Sequence, residues 1–274
     1  MNILIQTDNL IVNLIFGIIL ASAISLISYR LKLLTISGII AVFFLALIIY
    51  TFGTWQWTLP IVTFFVLSSL LSKFRKSKNE SVESYFEKSD ERDHLQVLAN
   101  GGLASVLVIL NYFYSSELFY IVYVSMVASV CADTWATETG TLFKAKTINI
   151  LSFKKVEPGI SGGISFPGIF GALAGAFVIA ITSLPWLESD YLMNVIIILF
   201  AGFVGSIADS LLGASVQAQY KCRVCERITE RKIHCNKETN LFSGIRWVNN
   251  DAVNFGAGIS GGIFSIILYD VVKG

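Results

Sequence analysis

Charge is what this chain has least of. Only 14% of its 274 residues are charged, 54% are hydrophobic and the mean hydropathy is +0.69. A soluble domain carries about 25% charged residues, so a water-soluble globule is excluded and a polytopic membrane protein is expected. Basic residues are also missing ahead of the first apolar run, where Asp8 stands instead, so that run reads as a retained anchor and not as a cleaved signal peptide. No Gly-Lys-Ser/Thr follows the glycine-rich stretch after Glu157, which excludes a Walker loop. Three connections, Phe52 to Gln56, Tyr112 to Glu117 and Pro185 to Tyr191, contain no Lys or Arg at all.

Apolar runs are abundant. Stretches long enough to cross a bilayer occur at Leu10 to Ser28, Leu33 to Thr51, Trp57 to Leu71, Leu95 to Asn111, Leu118 to Glu138, Pro167 to Leu184, Leu192 to Leu212 and Asn250 to Val271. They predict an all-α bundle of about eight transmembrane helices. All the basic residues except Lys273 fall in four alternate connections: Arg30 and Lys32; Lys73, Arg75, Lys76, Lys78, Lys88 and Arg92; Lys144, Lys146, Lys154 and Lys155; and Lys221, Arg223, Arg227, Arg231, Lys232, Lys237 and Arg246. The positive-inside rule places these in the cytoplasm and both termini outside. The chain divides into N-terminal helices over 1–72, a charged cytoplasmic loop over 73–94, and a catalytic membrane core over 95–274 that includes a cysteine-containing loop at 216–248.

Three aspartates interrupt the apolar runs: Asp133, Asp209 and Asp251. A carboxylate near hydrocarbon loses hydration worth several kcal/mol, so it faces a cavity, pairs with a cation or binds an ion. The topology sets all three at the cytoplasmic boundary. Arg92, Gln96 and Asn100 recur every four residues and share one helical face; Asp133 with Thr137, and Thr134 with Glu138, form two oxygen-rich edges that suit Mg²⁺ bridging to phosphates. Asn250, Asp251 and Asn254 extend that shell, with Asn249 as the helix cap.

The glycine-rich stretch contains Gly159, Ser161, Gly162, Gly163 and Ser165 ahead of an apolar segment. It either presents backbone N–H groups to a phosphate at a helix start or serves close helix packing, as the four-residue spacing of Gly171 and Gly175 suggests. In the 216–248 loop, Cys222, Cys225, His234 and Cys235 have the ligand types of a structural zinc site, and a disulfide is disfavoured in the cytoplasm. Free structural thiols are the other reading, because adjacent His234 and Cys235 seldom reach one ion.

The strings from Ala132 to Glu138, from Pro158 to Ser165, from Gly205 to Ala214 with Gln217 and Gln219, and from Trp247 to Asn254 resemble an integral-membrane family that includes plant phytyl-phosphate kinase (domain of unknown function 92, transmembrane protein 19-like). The resemblance runs from about Arg92 to the C-terminus. It implies transfer of the γ-phosphate of an NTP to an isoprenyl monophosphate. A wider similarity, to CTP-dependent lipid kinases and CDP-lipid synthases, lies in Asp133, Ala136 and Gly140 followed by Gly162 and Gly163; it favours CTP and leaves ATP and UTP open.

On that reading Asp133, Asp209 and Asp251 hold Mg²⁺. Lys146, Lys154, Lys155 and Arg92 neutralise charge, while Gly159, Gly162 and Gly163 donate backbone N–H groups. Gln96, Asn100, Thr137, Glu138, Ser161, Ser165, Ser210, Gln217, Asn250 and Asn254 complete the substrate and nucleotide site. The expected partners are an NTP, an isoprenyl monophosphate lipid and the membrane, with no nucleic acid and at most a second copy of the chain as a homodimer. The expected location is a bacterial or archaeal cell membrane. A CDP-lipid synthase, a polyprenol kinase, and a lipid or ion transporter are the alternatives; the transporter lacks a polar gate in the short, nearly uncharged outer connections.

Overall fold

The computed structural model describes residues 9–79, 91–143, 145–187 and 190–273. Half of the charged loop expected over 73–94 (residues 80–90), the N-terminal residues before Asn9 and Lys144 lie outside the described residues. Among the described residues, seven helices are long and apolar enough to cross a membrane: α1 (Leu10–Arg30), α2 (Ile36–Lys78), α3 (His94–Tyr114), α4 (Glu117–Leu142), α5 (Phe166–Ser183), α6 (Tyr191–Ser215) and α7 (Asn250–Lys273). Ile11, Ile36, Leu192 and Val271 are among many large apolar side chains pointing outward, as hydrocarbon rather than water would require.

Two of the expected apolar segments are one element, α2, and the reason they remain separate arms is local. Its 43 residues would span about 65 Å as a straight helix, twice the hydrocarbon thickness. Thr54 breaks it, with φ 53° and ψ −151°. A methyl group on Gly101 of α3 would lie 2.9 Å from Ile61 and 3.1 Å from Leu45. In a straight helix those two residues would be about 24 Å apart, so the arms before and after Thr54 lie side by side. The freed backbone groups are satisfied: Pro60 has no N–H to offer the Gln56 carbonyl, and Tyr120 of α4 donates to it at 3.2 Å, while Tyr123 donates to the Trp57 carbonyl at 2.5 Å.

Helix α4 is the axis of the molecule. Every residue from Tyr120 to Ala132 is buried, and α2, α3, α5, α6 and α7 all pack on it. Glycines permit the closest approaches. On α5, methyl groups at Gly171 and Gly175 would meet the Trp135 and Cys131 carbonyls of α4 at 2.5 and 2.9 Å, so the four-residue spacing tracks one turn of the neighbouring helix. Gly175→Val is therefore expected to lower stability by about 1–3 kcal/mol or more, whereas Gly102→Ala, whose methyl meets only Leu98 at 3.6 Å, should be neutral or raise it by up to about 1 kcal/mol. Thermal unfolding in detergent compares the two directly.

The connections sort to two ends. At one end Glu117 at the start of α4 bonds Asn194 of α6 at 3.1 Å and Lys273 of α7 at 3.3 Å. At the other, the basic connections converge: Lys73 donates to the Leu31 carbonyl at 3.0 Å, Arg92 is clipped by its backbone to Leu33 and Thr35, and Asn79 donates to the Thr141 carbonyl at 2.8 Å. Two small β layers, not foreseen in an all-α reading, cover this basic end. Strands β1 (Thr147–Asn149), β2 (Lys155–Val156) and β3 (Gly163–Ile164) form an antiparallel sheet in the order β2-β1-β3. Strands β4 (Gln219–Lys221), β5 (Ile228–Thr229) and β8 (Asn240–Ser243) form another, ordered β5-β4-β8, with a hairpin of β6 (Ile233–His234) and β7 (Lys237–Glu238) beside it.

Candidate active site

The site begins with the register of two parallel helices. Gly205 of α6 lies against Ser129 of α4, so closely that any side chain at 205 would collide with the serine hydroxyl, and Gly202 lies against Ala128. One turn further toward the basic end of each helix come Asp133 and Asp209. Their carboxyl groups meet within hydrogen-bonding range. The Oδ2 atom of Asp209 is buried with no hydrogen-bond partner. Two buried carboxylates this near each other, one with an unsatisfied oxygen, are suited to sharing a proton or a cation.

Around the pair is a polar cavity of about 240 Å³. Its walls hold Arg92, Gln96 and Asn100 from the start of α3; Asp133, Thr137 and Glu138 from α4; Gly159, Ser161, Gly162, Gly163 and Ser165 from the glycine stretch; Asp209 and Ser210 from α6; and Gln217, Asn250 and Asn254. Five segments far apart in the chain thus meet in one place. The glycine stretch fits there because Gly159 and Gly162 take φ values of 94° and 77°, and Gly162 is pressed on Ala214, where a β-carbon would find no room. Ser165 caps α5, accepting from the Gly168 N–H at 3.3 Å, so the positive end of an 18-residue helix faces the cavity.

Other expected residues are placed differently. Lys146, Lys154 and Lys155 are exposed and are not part of the cavity wall. Asp251 is buried in the first turn of α7, where Asn249 donates to it at 3.4 Å, and is likewise not in the wall. Asn250 and Asn254, one helical turn apart, present the adjacent face instead. Asn249 accepts from the Ala252 N–H at 3.1 Å and acts as a cap. Both oxygens of Glu138 are engaged, one by Ser72 at 2.6 Å and the other by Arg75 at 2.7 Å in a buried ion pair.

Ser72, Arg75, Thr147, Ser206 and Glu230 also line the cavity, and sequence reasoning missed them as site residues. Arg75 was one of a run of loop cations, and Glu230 has no motif around it. Yet Glu230 holds the roof together: it accepts from Ser161 and, at 2.9 Å, from Gln217, while Gln219 donates to the Ser161 carbonyl at 3.3 Å. The cysteine loop is thereby fastened to the glycine stretch.

With Asp133, Asp209 and Glu230 in its wall, the cavity is acidic at its centre, and Arg92 stands at its edge with its guanidinium 5.6 and 5.8 Å from the Phe64 and Phe65 rings. A bare phosphate would be repelled there; a phosphate accompanied by Mg²⁺ would not. The hard oxygen donors and the orphaned Asp209 oxygen fit such an ion. A second cavity, of about 330 Å³ and almost wholly apolar, lies between α1, the two arms of α2 and α3. Arg92 and Asn100 line both cavities, and the Oδ1 atom of Asn100 is buried without a partner.

The cysteine loop gathers Cys222, Cys225, His234 and Cys235 so that their ligand atoms all lie within 4.8 Å of one another. The objection to adjacent ligands is removed by turn geometry. Cys235 and Asn236, at φ 51° and 57°, form the two left-handed positions between β6 and β7, and this tight reversal brings the Cys235 sulfur 3.3 Å from Nδ1 of His234. The backbone N–H groups of Cys225 and Val224 point at Cys222 and pull its thiol down to about 6.

A membrane-embedded helical bundle with an acidic cavity is the class these features define. The model of the integral membrane family DUF92 matches residues 19–262, and the chain belongs to that family. It is 31% identical to Protein PGR of Arabidopsis thaliana over 88% of this chain and 91% of that protein. It is 28% identical to an uncharacterised membrane protein of Methanocaldococcus jannaschii over 97% of this chain and 98% of that one. It is 24% identical to Protein VTE6, chloroplastic, of Arabidopsis thaliana over 81% of this chain and 61% of that protein. Relatives from a plant and an archaeon do not restrict the protein to a prokaryotic cell membrane. No solved structure matches.

Proposed function

We propose that this protein is a lipid phosphotransferase that moves the γ-phosphate of an NTP, with CTP preferred, onto an isoprenyl monophosphate to give the diphosphate. The observation that carries the reading is the adjacency of the two cavities: an acidic chamber and an apolar slot share Arg92 and Asn100 in their walls. A substrate with a phosphate head and a branched hydrocarbon tail matches that shape and polarity. The basic end is read as cytoplasmic, with eight crossings and both termini outside, because the water-soluble nucleotide must enter where the lysines and arginines converge.

In the reaction an oxygen of the prenyl phosphate attacks the γ-phosphorus. A new P–O bond forms, the bond to the β-γ bridging oxygen breaks, and the nucleoside diphosphate leaves with the electron pair. The nucleophile is already an anion, so no strong base is needed and alignment of two polyanions is the main task. Arg92, on the wall that the two cavities share, meets the lipid phosphate. The α5 N-terminus and the glycine-stretch amides hold nucleotide phosphate. Asp133 and Asp209 would hold magnesium, which supplies charge neutralisation across the reacting phosphates.

The test is label transfer by purified protein to farnesyl and geranylgeranyl phosphate. Label from the γ position should appear in the lipid; label from the α position appearing there would identify a nucleotidyl transferase instead, and no transfer with any nucleotide would sink the reading. Ile61→Trp, which fills the slot, should lower kcat/KM for the longer lipid relative to the shorter by about 10-fold or more. Equal losses for both lengths would place the tail elsewhere.

A further inference from the structure

The loop from Gln217 to Val248 has strands of two to four residues and little of its own to bury: among its described side chains only Gln217, Ala218, Gln219, Tyr220, Cys222, Thr229 and Val248 are buried. So small a unit needs a staple to keep one shape. Its two reversals supply the parts of one. In the first, Cys222 accepts from the Val224 N–H at 3.4 Å, and the backbone closes through Glu226 to Cys222 at 3.1 Å and Cys222 to Arg227 at 2.9 Å, with Glu226 left-handed at φ 58°. In the second, the left-handed pair Cys235 and Asn236 turns β6 into β7. The sulfurs of Cys225 and Cys235 are 3.9 Å apart, and Nδ1 of His234 is 3.6 Å from Cys225 and 3.3 Å from Cys235. Three sulfurs and one imidazole nitrogen are the donor set of a closed tetrahedral zinc site, with no position left for water or substrate.

Glu230 is the reason this matters beyond the loop. It lies between the two reversals, five residues after Cys225 and four before His234, and it is the side chain that ties the roof to Ser161 and Gln217. We propose that Cys222, Cys225, His234 and Cys235 bind one structural zinc ion, and that this ion holds the loop in the form that presents Glu230 to the glycine stretch over the membrane cavity.

The inference is independent of the reaction the cavity performs, and its test needs no activity. Elemental analysis of protein purified without chelator should find about one zinc per chain, and cobalt replacing it should give the intense visible absorption of a tetrahedral thiolate site. Cys225→Ser should lose the metal. A second measurement, independent of how that variant folds, uses the wild-type chain: hydrogen exchange after zinc removal should rise over 217–248 and also over 159–163, where the roof is fastened. Zinc below about one tenth per chain with no cobalt band, stoichiometric iron, or an intact mass showing a Cys225–Cys235 disulfide would each overturn the metal site. Unchanged exchange at 159–163 on zinc removal would overturn its role in holding Glu230.

Discussion

Asp133→Asn and Asp209→Asn are each expected to reduce phosphate transfer by about 10²-fold or more, several kcal/mol of lost transition-state stabilisation. Both carboxyl groups lie in the cavity wall, and one oxygen of Asp209 is buried without a partner, so each substitution removes a charge at the centre of the acidic cavity. Folding should survive. Asn keeps the shape of Asp and relieves the repulsion between two buried acids, so thermal unfolding in detergent should shift little or upward. Both variants are assayed beside wild type over a range of Mg²⁺ concentrations. Activity within a few-fold of wild type in either, with intact folding, would remove that residue from the site.

Arg75→Met should have the largest effect on stability. The guanidinium and Glu138 form a buried pair at 2.7 Å, with side chains 4% and 10% exposed, and Ser72 holds the other carboxylate oxygen at 2.6 Å. Removing the cation leaves a carboxylate between helices with its charge uncompensated, at a cost of about 3–5 kcal/mol. Glu138→Gln in the same chain should restore much of the loss, because the remaining amide is neutral and can still bond Ser72. A double-mutant cycle read by thermal unfolding in detergent measures the coupling. Additive losses would mean that the pair contributes nothing beyond its separate contacts. The cycle also tests whether α2 and α4 are joined at the basic end, since the two residues are 63 positions apart in the chain.

Membrane class, the positions of the apolar segments and the grouping of polar residues at one end were legible in the sequence because each rests on composition and one-dimensional spacing. Hydrocarbon demands long apolar runs, and loops rich in Lys and Arg announce themselves without any knowledge of contacts. The shared depth of Asp133 and Asp209 followed from the same reasoning, as did the recurrence of Arg92, Gln96 and Asn100 along one helical face. What spacing could not decide was facing. Asp251 and Asp209 look alike in sequence, yet only the rotation of each helix about its axis determines that Asp209 enters the cavity and Asp251 does not. Lys154 and Lys155 are near the glycine stretch in the chain, but both are exposed and outside the cavity wall.

The tertiary structure alone decided the rest, because it rests on close approach between distant segments. Gly205 against Ser129 brings the two aspartates together, a contact that no local pattern encodes. Thr54 reverses α2 and so creates, with α1 and α3, an apolar slot that a list of eight hydrophobic segments does not contain. Glu230 and Arg75 became site residues only when the loops that carry them folded back over the basic end. The cysteine cluster lies between the two cases: its residue types were visible in the chain, but the left-handed turn at Cys235 and Asn236 was needed to place neighbouring ligands on one point.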